Sequence, residues 1–253
     1  MQKIREAKDM ENKWKEVWNR REINYEEICG RSDFMSRYAE LKRADGFDVS
    51  IGGDPDAYYR AFVDMWKENY SRIISRVGKI GSVFEVGCGS GASLYLYKNA
   101  DPSMRLGGTD YSESLVRIAK KVIGEEIFAG EASDIPTEPA SDLVSADSVF
   151  VYFRDEEYAG RVLERMYAKS AKAVMCTEVY DLSKKEECIA YRRSRMSDYD
   201  ERYKDLGKLF LSRKFWMDFA EAHDADIEFC DVKNPYYWNS DFMYDVFLYR
   251  KHL

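Results

Sequence analysis

Histidine is almost missing from this chain of 253 residues: there are two, His223 and His252. Neither falls where a strand would end in a pocket, so the usual near-neutral proton carrier is not expected at a reaction centre. Cysteine is sparse and scattered. Cys29, Cys88, Cys176, Cys188 and Cys230 stand singly, an odd number without C-x-x-C spacing. That excludes a disulfide scaffold and a zinc constellation, and points to free thiols in a reducing compartment. Basic charge is in deficit, with 39 Lys and Arg against 46 Asp and Glu for a net charge of −7. A nucleic-acid partner is disfavoured, since such domains carry a basic footprint. No apolar run reaches the roughly 18 residues of a membrane span, and the N-terminus, Met1-Gln2-Lys3-Ile4-Arg5-Glu6, is too charged for a signal peptide. A soluble, cytoplasmic protein with no membrane partner is expected. No metal site is expected either.

What the chain does have is apolar and aromatic: 45% hydrophobic residues and 19 Tyr. That is enough for the core of one large α/β domain, and for an aromatic-lined pocket. From about residue 82 apolar strand patterns alternate with helix patterns, the signature of a parallel sheet with helices on both faces. The organising stretch is Val83-Phe84-Glu85-Val86-Gly87-Cys88-Gly89-Ser90-Gly91, a buried strand running into a glycine-rich turn and a helix from Ala92. Glycines let a ligand lie against the main chain, and the helix start points its free N–H groups at it. Glu85 is a carboxylate inside the strand, costly to bury without a partner. The spacing G-x-G-x-G differs from the dinucleotide G-x-G-x-x-G, although Gly87-x-Gly89-x-x-Ala92 fits a variant of that fingerprint, so an NAD(P)-dependent oxidoreductase stays open.

The stretch Glu85-x-Gly87-x-Gly89-x-Gly91 resembles motif I of the class I S-adenosylmethionine (SAM) methyltransferases. The resemblance implies that Glu85, Gly87, Cys88, Gly89 and Gly91 hold the methionine end of SAM. Asp110, at the end of a second strand and followed by Tyr111, lies 21 residues after Gly89, where an acid can bond both ribose hydroxyls of SAM or NAD. Glu131-Ala132-Ser133-Asp134-Ile135-Pro136 resembles the family's adenine-contacting D-A-x-x-(L/I)-P segment, with Glu131 or Asp134 as the acid. The segment from Asp147 through Tyr152 resembles motif IV, whose strand end faces the transferring methyl group.

Strands are expected at about 82–87, 105–109, 126–130, 141–146, 171–176, 225–232 and 242–249. The fold class is therefore α/β: a Rossmann-like, doubly wound, seven-stranded, mostly parallel sheet with an antiparallel last strand. Residues 1–78 read as helices over about 2–20, 24–43 and 55–77, a helical lid covering the open edge of the sheet; residues 79–253 form the SAM-binding core. The N-terminal pattern includes Ile4, Ala7 and Ile23, and the cluster Ile51-Gly52-Gly53 breaks the chain before Asp54 and Pro55. Position near strand ends makes Asp147, Tyr152 and Glu178 candidates for a catalytic base and Tyr152 and Tyr180 candidates for acceptor binding, joined by Tyr58 on the helix over 55–77 and Tyr237 in the aromatic turn before the last strand. An insertion at about 183–207, rich in Arg and Tyr, brings Arg192 and Arg193, which could clamp an anionic acceptor in a bidentate way; a solvated charged helix is the plainer reading. The sequence thus points to metal-free methyl transfer from SAM, with S-adenosylhomocysteine (SAH) as product, to a small-molecule acceptor. Transfer at oxygen is expected, with a carboxylate, phosphate or phosphonate as the anionic acceptor group. A small amine as acceptor and a non-catalytic SAM-binding protein are alternatives, and a monomer or homodimer is expected.

Overall fold

A computed structural model describes residues 13–19, 25–31, 33–46, 54–124 and 126–251. The positions Ile4, Ala7 and Ile23, the Ile51-Gly52-Gly53 cluster and His252 lie outside them. Seven strands, β1 (Ser82–Val86), β2 (Arg105–Asp110), β3 (Ile127–Ala129), β4 (Ser141–Asp147), β5 (Ser170–Tyr180), β6 (Ala225–Asp231) and β7 (Met243–Arg250), form one sheet in the order β3-β2-β1-β4-β5-β7-β6. β1 pairs in parallel with β2 on one side and β4 on the other. β7 runs antiparallel to both neighbours. The strand order reverses between β1 and β4, and a crevice opens at their carboxyl ends.

The helices are α1 (Lys13–Asn19), α2 (Tyr25–Gly30), α3 (Phe34–Ala44), α4 (Pro55–Val77), α5 (Ala92–Ala100), α6 (Glu113–Val122), α7 (Glu156–Lys169), α8 (Lys185–Arg195), α9 (Tyr199–Arg202) and α10 (Arg213–Ala222). The sheet separates two apolar cores. One joins α3, α4, α5 and α6 to Val83, Leu143, Met175 and Phe247. The other joins α7 and α10 to Phe84, Val86, Val144 and Ala146. Alternation along β1 sends Phe84 and Val86 to the second core, leaving Glu85 on the same face as Val83 and under the N-terminal helices.

The structure corrects three expectations. First, α4 does not cover an edge. It lies across a sheet face, where Asn69 Nδ2 donates to Asp245 Oδ2 on β7 at 2.8 Å and Arg72 and Arg76 pair with Glu228 and Asp226 on β6. Its apolar stripe, with Tyr58, Phe62 and Ile73 buried, belongs to the main core. Second, the helical pattern at 24–43 is broken in two, because Asp33 accepts from Ser36 N at 2.9 Å and starts α3 afresh. Third, β5 runs four residues past Cys176. Pairing to β7 resumes at Val179 and Tyr180 after a register shift, so Glu178 sits in a bulge of the strand and not in a loop beyond it.

Candidate functional site

A cavity of about 490 Å³ opens at the carboxyl ends of β1, β2 and β4. Its floor is the turn after β1. Gly87 and Gly89 have φ of +69° and +52°. A Cβ on Gly87 would lie 2.5 Å from Val149 Cγ2, and one on Gly89 would lie 2.5 Å from Asp45 Oδ1. Both backbone angle and close approach therefore require glycine. Gly91 is not on the cavity wall; its N–H donates to Cys88 O at 2.8 Å and it begins α5, which closes the turn. Asp110 ties the floor to β2. Its Oδ2 accepts from Gly89 N at 2.9 Å and its Oδ1 from Ser112 N at 2.8 Å. Burial pushes this carboxyl up, against those two bonds. Each carboxylate oxygen can still accept another hydrogen bond from a ligand hydroxyl.

Glu85 lines the same cavity and is 2% exposed. Its Oε2 has no hydrogen-bond partner, and burial, then the charges of Asp147 and Asp45, hold its pKa well above the ordinary value. An orphaned, buried acceptor of this kind needs a donor from a ligand or a water.

Sequence reasoning missed Lys42 and Asp45, which the end of α3 brings to the cavity wall. Asp45 Oδ1 accepts from Ser90 N at 2.7 Å and Oδ2 from Ser90 Oγ at 3.0 Å, while burial pushes its pKa up to about 7. Lys42 is 3% exposed, 3.5 Å from Asp147 Oδ2 and 4.7 Å above the Phe62 ring. Asp147 also accepts from Ser93 Oγ at 2.9 Å and Thr177 Oγ1 at 2.6 Å. Burial raises Asp147, but Lys42 and these hydroxyls outweigh it and hold the carboxyl below the usual range. No motif spacing announces Lys42 or Asp45, which arrive through tertiary packing.

Cys88, in the floor turn, and Tyr111, Glu131, Ala132 and Ser133 also stand on the wall. Tyr158 OH lies 3.4 Å from Glu131 Oε2, and Arg154 and Arg161 lie over the Tyr158 ring. Glu131 faces the cavity; Asp134 is not on its wall and receives Ser133 Oγ at 3.1 Å.

The acceptor-side candidates divide. Asp147 and Tyr152 line the cavity, with Trp14 and Trp18 edge-on to the Tyr152 ring at 4.9 and 5.6 Å. Tyr58, Glu178, Tyr180 and Tyr237 are buried behind it. Glu178 is 1% exposed with neither carboxyl oxygen hydrogen-bonded, and its φ is +57°. Asp245 Oδ1 accepts from Glu178 N at 2.9 Å, which pins the bulge. Burial, then Asp147, raise the Glu178 pKa to about 8. The Tyr58 hydroxyl also lacks a partner.

The expected arginine clamp does not form. Arg192 is 3% exposed, and its Nη2 donates to Tyr180 OH at 2.5 Å and Asn239 Oδ1 at 2.8 Å. Arg193 is exposed and grips Asp200 through Nε and Nη2. Arg192 holds α8 to the body and Arg193 holds α9, because buried hydroxyl and amide acceptors and a surface carboxylate already occupy them.

Residues 84–175 match the family model described as a methyltransferase domain. Trans-aconitate 2-methyltransferase of Variovorax paradoxus (strain S110) is 30% identical over 121 residues, 46% of this chain and 45% of that protein. The match thus spans less than half the length of that curated relative. Magnesium protoporphyrin IX methyltransferase of Synechocystis PCC 6803, solved with bound SAM, superposes with a TM-score of 0.58 at 10% identity, covering 94% of this chain and 95% of that one. A plantazolicin methyltransferase, solved with a desmethyl substrate analogue and SAH, gives 0.59 at 14% identity, covering 96% and 98%. At these identities the two structures speak to the fold.

Proposed function

We propose that this chain, whose residues 84–175 match a methyltransferase-domain model and whose fold is that of the solved methyltransferases, binds SAM and transfers the methyl group to a small molecule. The observation that carries the reading is the cavity floor. A glycine turn with no room for a Cβ is fastened by Asp110 and bordered by the orphaned Glu85 Oε2. This donor set fits SAM: carboxylates for an ammonium and a ribose, and a Tyr and Glu wall for a purine. Glu85 and Asp45 would take the amino-acid end, Asp110 the ribose, and Tyr111 with Glu131, Ala132 and Ser133 the adenine. When bound, SAM supplies an electrophilic methyl group on a sulfonium. The chain's part is to hold the acceptor in line with that methyl, to exclude water, and to take a proton if the acceptor carries one. Asp147 and Tyr152 border the place from which an acceptor would approach, and α1 and α3 act as its lid, placing Trp18, Lys42 and Asp45 on the wall.

A polyanionic acceptor is a second reading, favoured by the name of the trans-aconitate relative and by Lys42. Its other intended carriers, Arg192 and Arg193, are engaged elsewhere. Incubation with methyl-tritiated SAM and a small-molecule extract tests the function: label should move into low-molecular-weight products. Label that stays with SAM throughout would contradict it.

A further inference from the structure

Glu85 stands between two spaces. On one side is the ligand cavity at the carboxyl ends of the strands; on the other is a second, smaller chamber of about 30 Å³ between the sheet and the helices that cover it. Glu85, Ser93 and Asp147 line both, and Asp147 accepts from Ser93 Oγ at 2.9 Å. The sheet supplies the chamber floor. Glu85 on β1 is in register with Ser145 on β4, and Ser145 with Met175 on β5, so the three side chains stand in one row on one face. The roof comes from the helices: α4 brings Trp66 and α5 brings Tyr97, their rings edge to face at 5.1 Å.

Four residues of that wall carry a buried polar atom with no hydrogen-bond partner among the described residues: Glu85 Oε2, Ser145 Oγ, Tyr97 OH and Trp66 Nε1. Glu85, Ser145 and Tyr97 are 2%, 1% and 1% exposed. One buried polar atom left unsatisfied is costly, and four around one small chamber point to a shared partner. Burial raises the Tyr97 hydroxyl, the charge of Glu85 adds to the rise and Trp66 opposes it, as befits groups gathered at one place. The chemistry of the wall selects the partner. Trp66 Nε1 only donates, an ionised Glu85 Oε2 only accepts, and the two hydroxyls do either. A metal ion has no use for the Trp66 N–H, and an anion would be repelled by Glu85. Water satisfies both, and it serves Glu85 in either protonation state, accepting from the acid or donating to the carboxylate. A water needs roughly 10–15 Å³ and two to four polar partners, and the chamber offers both.

We propose that the chamber is a water-binding site in which ordered water joins Glu85 Oε2 to Ser145 Oγ, Tyr97 OH and Trp66 Nε1, making these three positioning residues for the Glu85 carboxyl. Bridging water of this kind holds a polar group nearly as well as a direct hydrogen bond. With Oε2 anchored in the chamber, Oε1 is left to the cavity, where it meets the ammonium at the amino-acid end of the ligand. The role toward the ligand rests on the methyl-transfer reading above; the water site itself does not.

Two measurements test it. A high-resolution crystal structure of the ligand-free protein should show water in the chamber within about 2.7–3.2 Å of Glu85 Oε2 and of at least two of the other three atoms. A dry chamber, a metal ion in it, or a Glu85 carboxyl turned wholly into the cavity would each overturn the proposal, whatever the protein catalyses and whether or not any variant folds. The second measurement is calorimetric and compares SAH with 5′-methylthioadenosine, which keeps the adenosine and the sulfur but lacks the amino-acid end. Tyr97→Phe keeps the ring and removes only the hydroxyl. It should weaken SAH binding about three- to tenfold and change 5′-methylthioadenosine binding by less than about twofold, and Ser145→Ala should do the same. Equal losses for the two ligands would reduce Tyr97 to a packing residue, and unchanged SAH affinity would mean that Glu85 is held by something else; either result overturns the positioning role. Failure of the unaltered protein to bind either ligand would instead refute the methyltransferase reading, with the water site still decided by the crystal structure.

Discussion

At the scale of single residues, Asp110 and Asp45 show how much the site depends on groups that do two things. Asp110 fastens the glycine turn through Gly89 N and Ser112 N and keeps lone pairs that the proposed ribose contact would use. Asp110→Ala should therefore weaken SAH binding on the order of tenfold to a hundredfold, since hydrogen bonds to a charged group are each worth about 1.5–3 kcal/mol. Equilibrium dialysis with labelled SAH checks this, and unchanged affinity would sink the ribose assignment. Asp110 was legible in the sequence because local rules place it: a strand end at a fixed distance after a glycine turn. Asp45 was not. It reaches Ser90 from the end of a helix 45 residues away, a contact set by packing of α3 on α5 and written in no spacing. The same holds for the pair Lys42 and Asp147, 105 residues apart. Glu178 was legible as a strand-end acid, but its burial and its left-handed bulge were not, because both depend on Asp245 and Asn69 from distant elements.

At the scale of elements, α8 separates two arginines that look equivalent in sequence. Arg192 points into the body, to Tyr180 OH and Asn239 Oδ1; Arg193 points to solvent and Asp200. Arg192→Ala should cost about 3 kcal/mol by stranding buried acceptors, lowering Tm by roughly 6–12 °C in a protein of this size. Arg193→Ala should leave Tm unchanged, since exposed ion pairs contribute little. Differential scanning calorimetry on the two variants decides it, and equal losses would contradict the placement of α8. The helix and strand boundaries themselves were largely readable. Asp54 and Pro55 start α4, with Asp54 accepting from Asp56 N at 2.9 Å, as the cap-and-proline pair implies. β5 was read short because its last residues, Thr177-Glu178-Val179-Tyr180, carry a bulge, and no alternation survives a bulge.

At the scale of the whole molecule, the buried acids set how stability answers to pH. Burial holds Asp245 at about 6, Asp45 at about 7 and Glu178 at about 8 in the folded chain. The unfolded chain sheds the same protons near pH 4. Between about pH 4 and 8 the folded state therefore binds more protons, and the free energy of unfolding falls as pH rises through that window. Asp147, held low, works the other way and contributes stability that is lost only in acid, as pH drops through its lowered pKa. The ligand-free protein should melt at a lower temperature at about pH 8 than at about pH 5, and Glu178→Gln should flatten the upper part of that slope. A Tm that rises over this range would contradict the burial of these groups. The seven-stranded, mostly parallel sheet with an antiparallel ending was legible from the alternation of patterns, whereas the order β3-β2-β1-β4-β5-β7-β6 comes from the structure. The packing of α4 on a sheet face was not legible, since an amphipathic helix does not say in its sequence which surface it will cover.

The most direct measurement is calorimetric titration of the purified protein with SAH, with NADH as the control. The Glu85, Gly87, Gly89 and Asp110 floor should bind SAH with a dissociation constant on the order of micromolar, about −8 kcal/mol, and leave NADH unbound. Binding of NADH alone would contradict the methyltransferase reading and give the glycine turn to a dinucleotide.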